Sequence, residues 1–250
     1  MCLIVFGWQV KAGKPLIAAS NRDEFYARPA LPAHRWQDAP TVYAGRDMEA
    51  GGTWLGVADD PKNNGYRFAA LTNVRAPDQF NTYAPTRGLL VSDFLSSSVS
   101  PEDYLKSLQP KASKYNGFNL LVGTVGQDAT LIWYSNLGGN HPQNGKPLPP
   151  GIYGISNALL DTPWPKLVKT RSRFTTLVGQ DAPKDAYFSM LSDTQLVPDE
   201  NLPDTGVSYE WEKLLSAVCI HSKDYGTRVS TLVELYPDAP PLLQERIIHP

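Results

Sequence analysis

Short apolar or alternating runs, each closed by Gly, Asn, Asp or Pro, recur along this chain. They predict β-strands over residues 2–10, 15–21, 53–58, 67–73, 117–125, 130–135, 152–156, 216–221 and 227–235. Several lie close enough to form hairpins: residues 11–14 join the first two, 59–65 the next pair and 126–128 another. Helical spacing appears between the strand groups. Leu89, Leu90, Val91, Phe94 and Leu95 make one apolar stripe. Leu167, Val168, Arg171, Phe174, Leu177 and Val178 make an amphipathic one, and residues 186–191 a shorter one. Ser100-Pro101-Glu102-Asp103 reads as a helix start, with a capping hydroxyl, a proline at the first position and first-turn acids. Hairpins interrupted by helix pairs predict an α+β fold with antiparallel sheets and helices outside them, not alternating βαβ units.

Composition narrows the class. A length of 250 residues suits a single domain over 1–250. With 42% hydrophobic and 19% charged residues, a sizeable core is available and disorder is excluded. The net charge of -2 has no basic stripe in it, so no nucleic-acid partner is expected. Prolines crowd into connections such as Pro147-Leu148-Pro149-Pro150, which read as surface loops. The opening Met1-Cys2-Leu3-Ile4-Val5-Phe6-Gly7-Trp8 is apolar but short and has no basic start. It is neither a signal peptide nor a transmembrane segment, which makes a cytoplasmic location the default. Two cysteines, Cys2 and Cys219, imply no disulfide framework. Cys219-Ile220-His221 supplies two ligand types on one strand face, too few for a structural zinc site, so no metal is expected. Gly51-Gly52 and Gly138-Gly139 lack the residues that would complete a phosphate loop.

Chemistry concentrates at the first hairpin. With residues 11–14 as the turn, Val10 pairs with Pro15, and the ladder then sets Cys2 opposite Asp23. Directly opposed side chains sit about 4.5–5.5 Å apart at Cβ, and a loop one residue different would shift this register. Removal of Met1 would leave Cys2 with both a thiol and a free α-amine. A thiol is only roughly 3% ionised at neutral pH and gains from a base. An α-amine is about a tenth unprotonated at pH 7, far more than a lysine, so the nucleophile's own amine is a proton acceptor. The plain alternative is that Cys2 is a small hydrophobe buried in a first strand.

Further blocks surround this hairpin. Ser20-Asn21-Arg22-Asp23-Glu24 is followed by Arg28-Pro29, Ala44-Gly45-Arg46-Asp47, Gly51-Gly52-Thr53-Trp54-Leu55-Gly56 and Leu71-Thr72-Asn73. Then come Gly117-Phe118-Asn119-Leu120, Gly154-Ile155-Ser156-Asn157 and Tyr225-Gly226-Thr227-Arg228. In this order they resemble the NRDE family, also called the transport and Golgi organisation 2 family, over nearly the whole chain. The skeleton is also similar to N-terminal-cysteine amide hydrolases that cleave conjugated bile salts and penicillin V. That resemblance implies a four-layer αββα sandwich of the N-terminal-nucleophile hydrolase type. It further implies that Asp23 contacts the Cys2 amine, that Asn73 and Asn157 form an oxyanion hole, and that Arg228 supports the nucleophile electrostatically. Asn21, Arg22 and Trp54 would bind substrate. One departure stands out: the hydrolases carry arginine just before Asn-X-Asp, where this chain has Ser20. Each residue also has a plain reading, Asn73 and Asn157 as turn openers and Arg228 as a structural ion pair.

Two functions follow from the resemblance. One is hydrolysis of a carbon–nitrogen (amide) bond in an apolar acyl compound, with no cofactor required. The other is non-catalytic binding or trafficking of haem or lipid on the same fold, with His34, Cys2 and His221 as candidate haem ligands.

Overall fold

The computed structural model describes residues 2–250. Strands β1 (Cys2–Lys11) and β2 (Lys14–Phe25) form the opening hairpin, followed by β3 (Ala30–Arg35), β4 (Val42–Asp47), β5 (Leu55–Asp60) and β6 (Gly65–Asn73). Helices α1 (Gly88–Ser96) and α2 (Pro101–Leu108) come next, then β7 (Phe118–Val125), β8 (Thr130–Ser135), β9 (Lys146–Pro147) and β10 (Gly151–Ile155). Helices α3 (Pro165–Gly179), α4 (Lys184–Leu191) and α5 (Tyr209–Leu214) precede β11 (Tyr225–Leu235) and β12 (Leu242–Ile247). The strands make two antiparallel sheets, ordered β10-β1-β2-β11-β12 and β3-β4-β5-β6-β7-β8-β9.

Strand alternation builds the layers. Ile4, Phe6 and Trp8 of β1 join Leu16 and Ala18 of β2 in a core shared with Leu55, Val57, Phe68 and Trp133 of the second sheet. The intervening Leu3, Val5, Ile17 and Ala19 face the other way, against Leu167 and Phe174 of α3 and Phe188 and Leu191 of α4. On the far side, Ala69, Leu120 and Val122 pack under Leu90, Val91 and Phe94 of α1 and Leu105 of α2. Three apolar interfaces thus separate four layers in the order αββα, as expected. Each fully buried Leu, Ile or Phe stabilises the stack by about 1.5–3 kcal/mol. The predicted cap of α2 forms: the Ser100 hydroxyl accepts the Asp103 N–H at 3.1 Å.

Two expectations need correction, and several elements come without a predicted counterpart. The first hairpin pairs Cys2 with Arg22, not Asp23. Near the turn Lys11 does face Lys14, but an irregularity between Trp8 and Lys11, where Gln9 takes a positive φ of 51, extrudes one residue and brings Trp8 opposite Leu16. The extrusion matches the apolar faces, since an unbroken ladder would set inward-facing Trp8 against helix-facing Ile17. Residues 216–221 are not a strand; they form a buried connection with one isolated bridge at His221. Side chains and distant backbone take up its polar groups instead of a ladder: Asn21 donates to the Val218 carbonyl, and the Cys219 N–H donates to the Asp193 carbonyl. Finally, β3, β4, β12 and α5 carried no strong sequence signal. Among the described residues no helix is long and apolar enough to cross a membrane.

Candidate functional site

One end of the sandwich gathers the start of β1, the ends of β2, β4 and β6, and the start of α1. Between them lies a cavity of about 480 Å³ lined by Cys2, Arg22, Asp23, Glu24, Asn73, Trp54, Arg87 and Gly88, among others. Cys2 is 8% exposed and shares the inter-sheet face with Arg22 across the ladder. Burial pushes its thiol up; the Arg22 guanidinium and a hydrogen bond from the Asp23 backbone N–H act in the opposite direction.

Asp23 is the next residue along β2, and its carboxylate accepts the Thr227 hydroxyl at 2.7 Å on the helix-facing side. Burial raises this carboxyl, and the charge of Lys166 opposes the rise. Lys166 stands in the first turn of α3, buried, donating to the Leu215 carbonyl at 2.7 Å. Burial lowers its ammonium to about 8. The sequence offered one sign of it: Lys166, Thr170 and Phe174 recur at helical spacing on the buried side of α3.

The other expected residues divide. Asn73 ends β6 at the cavity wall, and its side-chain amide makes no protein hydrogen bond among the described residues. Asn157 does not line the cavity; its amide donates to the Asn73 carbonyl at 3.0 Å, so it positions Asn73 from behind. Asn21 is spent on architecture. Its amide donates to the Leu191 and Val218 carbonyls, both at 2.8 Å, and its oxygen accepts the Ser230 hydroxyl at 2.6 Å. Arg228 is the residue extruded where β11 passes β2. Its guanidinium donates to the carbonyls of Phe25, Arg28 and His249, clamping backbone at the rim of a second, small hollow. Arg22 stacks over the Trp54 ring at 4.3 Å. A Cβ at Gly45 would meet that ring at 2.3 Å, which is why glycine stands there.

Sequence reasoning missed Arg87, which lies in none of the recognised blocks, and left Glu24, Arg28, Asp47 and Glu49 without a role. All five line the cavity, so its walls carry both signs of charge beside Trp54, Leu71 and Phe80. Among the described residues no histidine lines it. His34 sits half-buried on β3, outside the cavity lining, while His221 lies 3.4 Å from Cys219 in a separate groove. Among the described residues no group of three or more His, Cys, Asp or Glu could hold a metal.

A layered αββα protein with a cysteine at the head of its first strand is the class that this geometry defines. The family model described as Transport and Golgi organisation 2 matches residues 1–249. The chain is 37% identical to the Bos taurus and Homo sapiens proteins named Transport and Golgi organization protein 2 homolog, over 98% of its length and 92% of theirs. It is 28% identical to the Drosophila melanogaster Transport and Golgi organization protein 2, over 93% of this chain and 87% of that one. The chain belongs to the Transport and Golgi organisation 2 family.

Proposed function

We propose that this protein hydrolyses an amide bond with Cys2 as an N-terminal nucleophile. The observation that carries the reading is the placing of Cys2 at the floor of a cavity, beside Arg22 and backed by the buried Asp23. Met1, whose removal the reading requires, lies outside the described residues. With Met1 gone, the Cys2 α-amine takes the thiol proton and the sulfur attacks the amide carbonyl carbon. The amine returns the proton to the leaving nitrogen, the C–N bond breaks, and a thioester remains. Water adds to the thioester while the amine accepts its proton; the C–S bond breaks, the acid leaves and the thiol is restored. A thiol raised by burial needs such a base more than an exposed one does. Asn73 supplies an amide donor for the tetrahedral oxyanion, a contribution of about 2.7–4 kcal/mol in a comparable hydrolase.

The test combines the intact mass of protein from its native cells with turnover of an amide panel by wild type and Cys2→Ser. Expected are a chain beginning at Cys2 and a loss on the order of a thousand-fold or more in the variant. Retained Met1, or turnover that ignores the substitution, would sink hydrolysis and leave the cavity as a ligand-carrying site for haem or lipid. Among the described residues Cys2 is then the one cysteine or histidine on its wall to ligate haem, and a saturable Soret shift lost in Cys2→Ala would report it.

A further inference from the structure

The cavity holds more guanidinium than its own carboxylates engage. Arg28 is committed, donating to Asp47 at 2.6 Å and to Glu49 at 3.1 Å. Asp47 is occupied in turn, its other oxygen accepting the backbone N–H groups of Glu49 and Ala50, both at 3.0 Å. Arg22 reaches Asp47 at only 3.5 Å and spends its flat face on Trp54. Arg87 is half-buried and makes one hydrogen bond, to the Gly117 carbonyl at 2.9 Å; it forms no ion pair among the described residues. A guanidinium has five N–H donors, so most of this fork remains to be used. The acid that acts most strongly on it, Glu24, turns an oxygen onto the backbone N–H of Phe25 at 2.9 Å. Arg87 is also the residue that opens the nine-residue α1, and Gly88 of its first turn is part of the same wall.

We propose that Arg87, with Arg22 lining the same cavity, binds a single anionic group, a carboxylate or a phosphate monoester, on the molecule that enters the Cys2 cavity. A planar fork matches the oxygens of either group in pairs. Stacking on Trp54 holds Arg22 in place before the ligand arrives. The positive end of α1 adds to the same field. Glu24, Asp47 and Glu49 line the same cavity and repel a second anionic group, which limits the site to one such group. The placing of a scissile amide at Cys2 in the same molecule rests on the hydrolytic reading; the anion site does not.

Calorimetric titration of the Cys2→Ser protein with matched probes tests this. N-benzoylglycine is compared with N-benzoylglycinamide, and N-benzoyl-O-phosphoethanolamine with N-benzoylethanolamine. In at least one pair the charged member is expected to bind about tenfold tighter or more, with a preference that shrinks as salt is added. Arg87→Gln should reduce that preference to a small residue, and Arg87→Lys should restore part of it. Should Arg87→Gln fail to fold, Arg22→Met must weaken the same preference. Equal binding within both pairs, no binding of either charged probe, or a preference that survives both arginine substitutions overturns the proposal. A charge preference without cleavage of any probe by wild type keeps the anion site and counts against hydrolysis. Cleavage without charge preference does the reverse.

Discussion

The two faces of β2 treat consecutive polar residues in opposite ways. On the helix side Asn21 and Asp23 are 0% and 1% exposed, bound to Leu191, Val218, Ser230 and Thr227. On the cavity side Arg22 and Glu24 line open volume and make loose or local contacts. Four neighbouring letters therefore hold two kinds of information, divided by the period of a strand. Asn21 fixes where α4 and the 216–221 connection sit, Asp23 is tied to β11 behind Cys2, and Arg22 and Glu24 face whatever enters the cavity.

That contrast can be broken at three points. Asn21→Ala orphans two buried carbonyls and a buried hydroxyl, so a stability loss of about 3–5 kcal/mol is expected in urea unfolding with an unchanged m-value. A loss below about 1 kcal/mol would show that the helix side is not structural. Next in size is a pH effect from Lys166. Its ammonium titrates at about 8 in the fold against an ordinary 10.5. Between those values the unfolded chain binds the extra proton, so the cost of burying the charge is full below pH 8 and is relieved as pH rises toward 10. Wild-type stability should gain about 2–3 kcal/mol over this window relative to Lys166→Met; parallel stability curves would refute it. The smallest effect belongs to the cavity side. Arg22→Met should cost under about 1.5 kcal/mol of stability, the stacking on Trp54 being its main loss. It should also slow alkylation of Cys2 by iodoacetamide several-fold, because the cation that favours the thiolate is gone.

The layers were legible because alternation is a strong signal. Ile4, Phe6 and Trp8 against Leu3 and Val5 already describe a strand buried on two faces. The same alternation held the correction to the hairpin: inward Trp8 wants Leu16, and only an extruded residue near Gln9 grants it. Counting outward from the turn ignored that demand. Edge strands were harder. β3 contains Pro32 and β12 contains Gln244, Glu245 and Arg246, so neither shows a clean two-residue period. Residues 216–221 have strand composition, but side chains and distant backbone serve their peptide groups, which no local pattern announces. Of the candidate site, Cys2, Asp23 and Asn73 could be found as residues at strand ends. Asn157 and Arg228 could be found too, yet their donors are spent on backbone carbonyls, a difference that only three-dimensional placement reveals. Arg87 had no motif to mark it, and the docking of α1 alone brings it to the cavity.

That docking has a narrow tolerance. A Cβ on Gly52 would lie 2.4 Å from the carbonyl carbon of Gly88 and 2.7 Å from the amide nitrogen of Leu89. Peptide plane rests directly on peptide plane there, without an intervening side chain to flex. The aperture is consequently gauged by bare main chain: a single methyl group would jack the whole helix outward like a shim, carrying Arg87 with it while the sheet below kept its spacing. The dimensions of the opening are thus set by the bare α-carbon of Gly52 against the Gly88–Leu89 peptide.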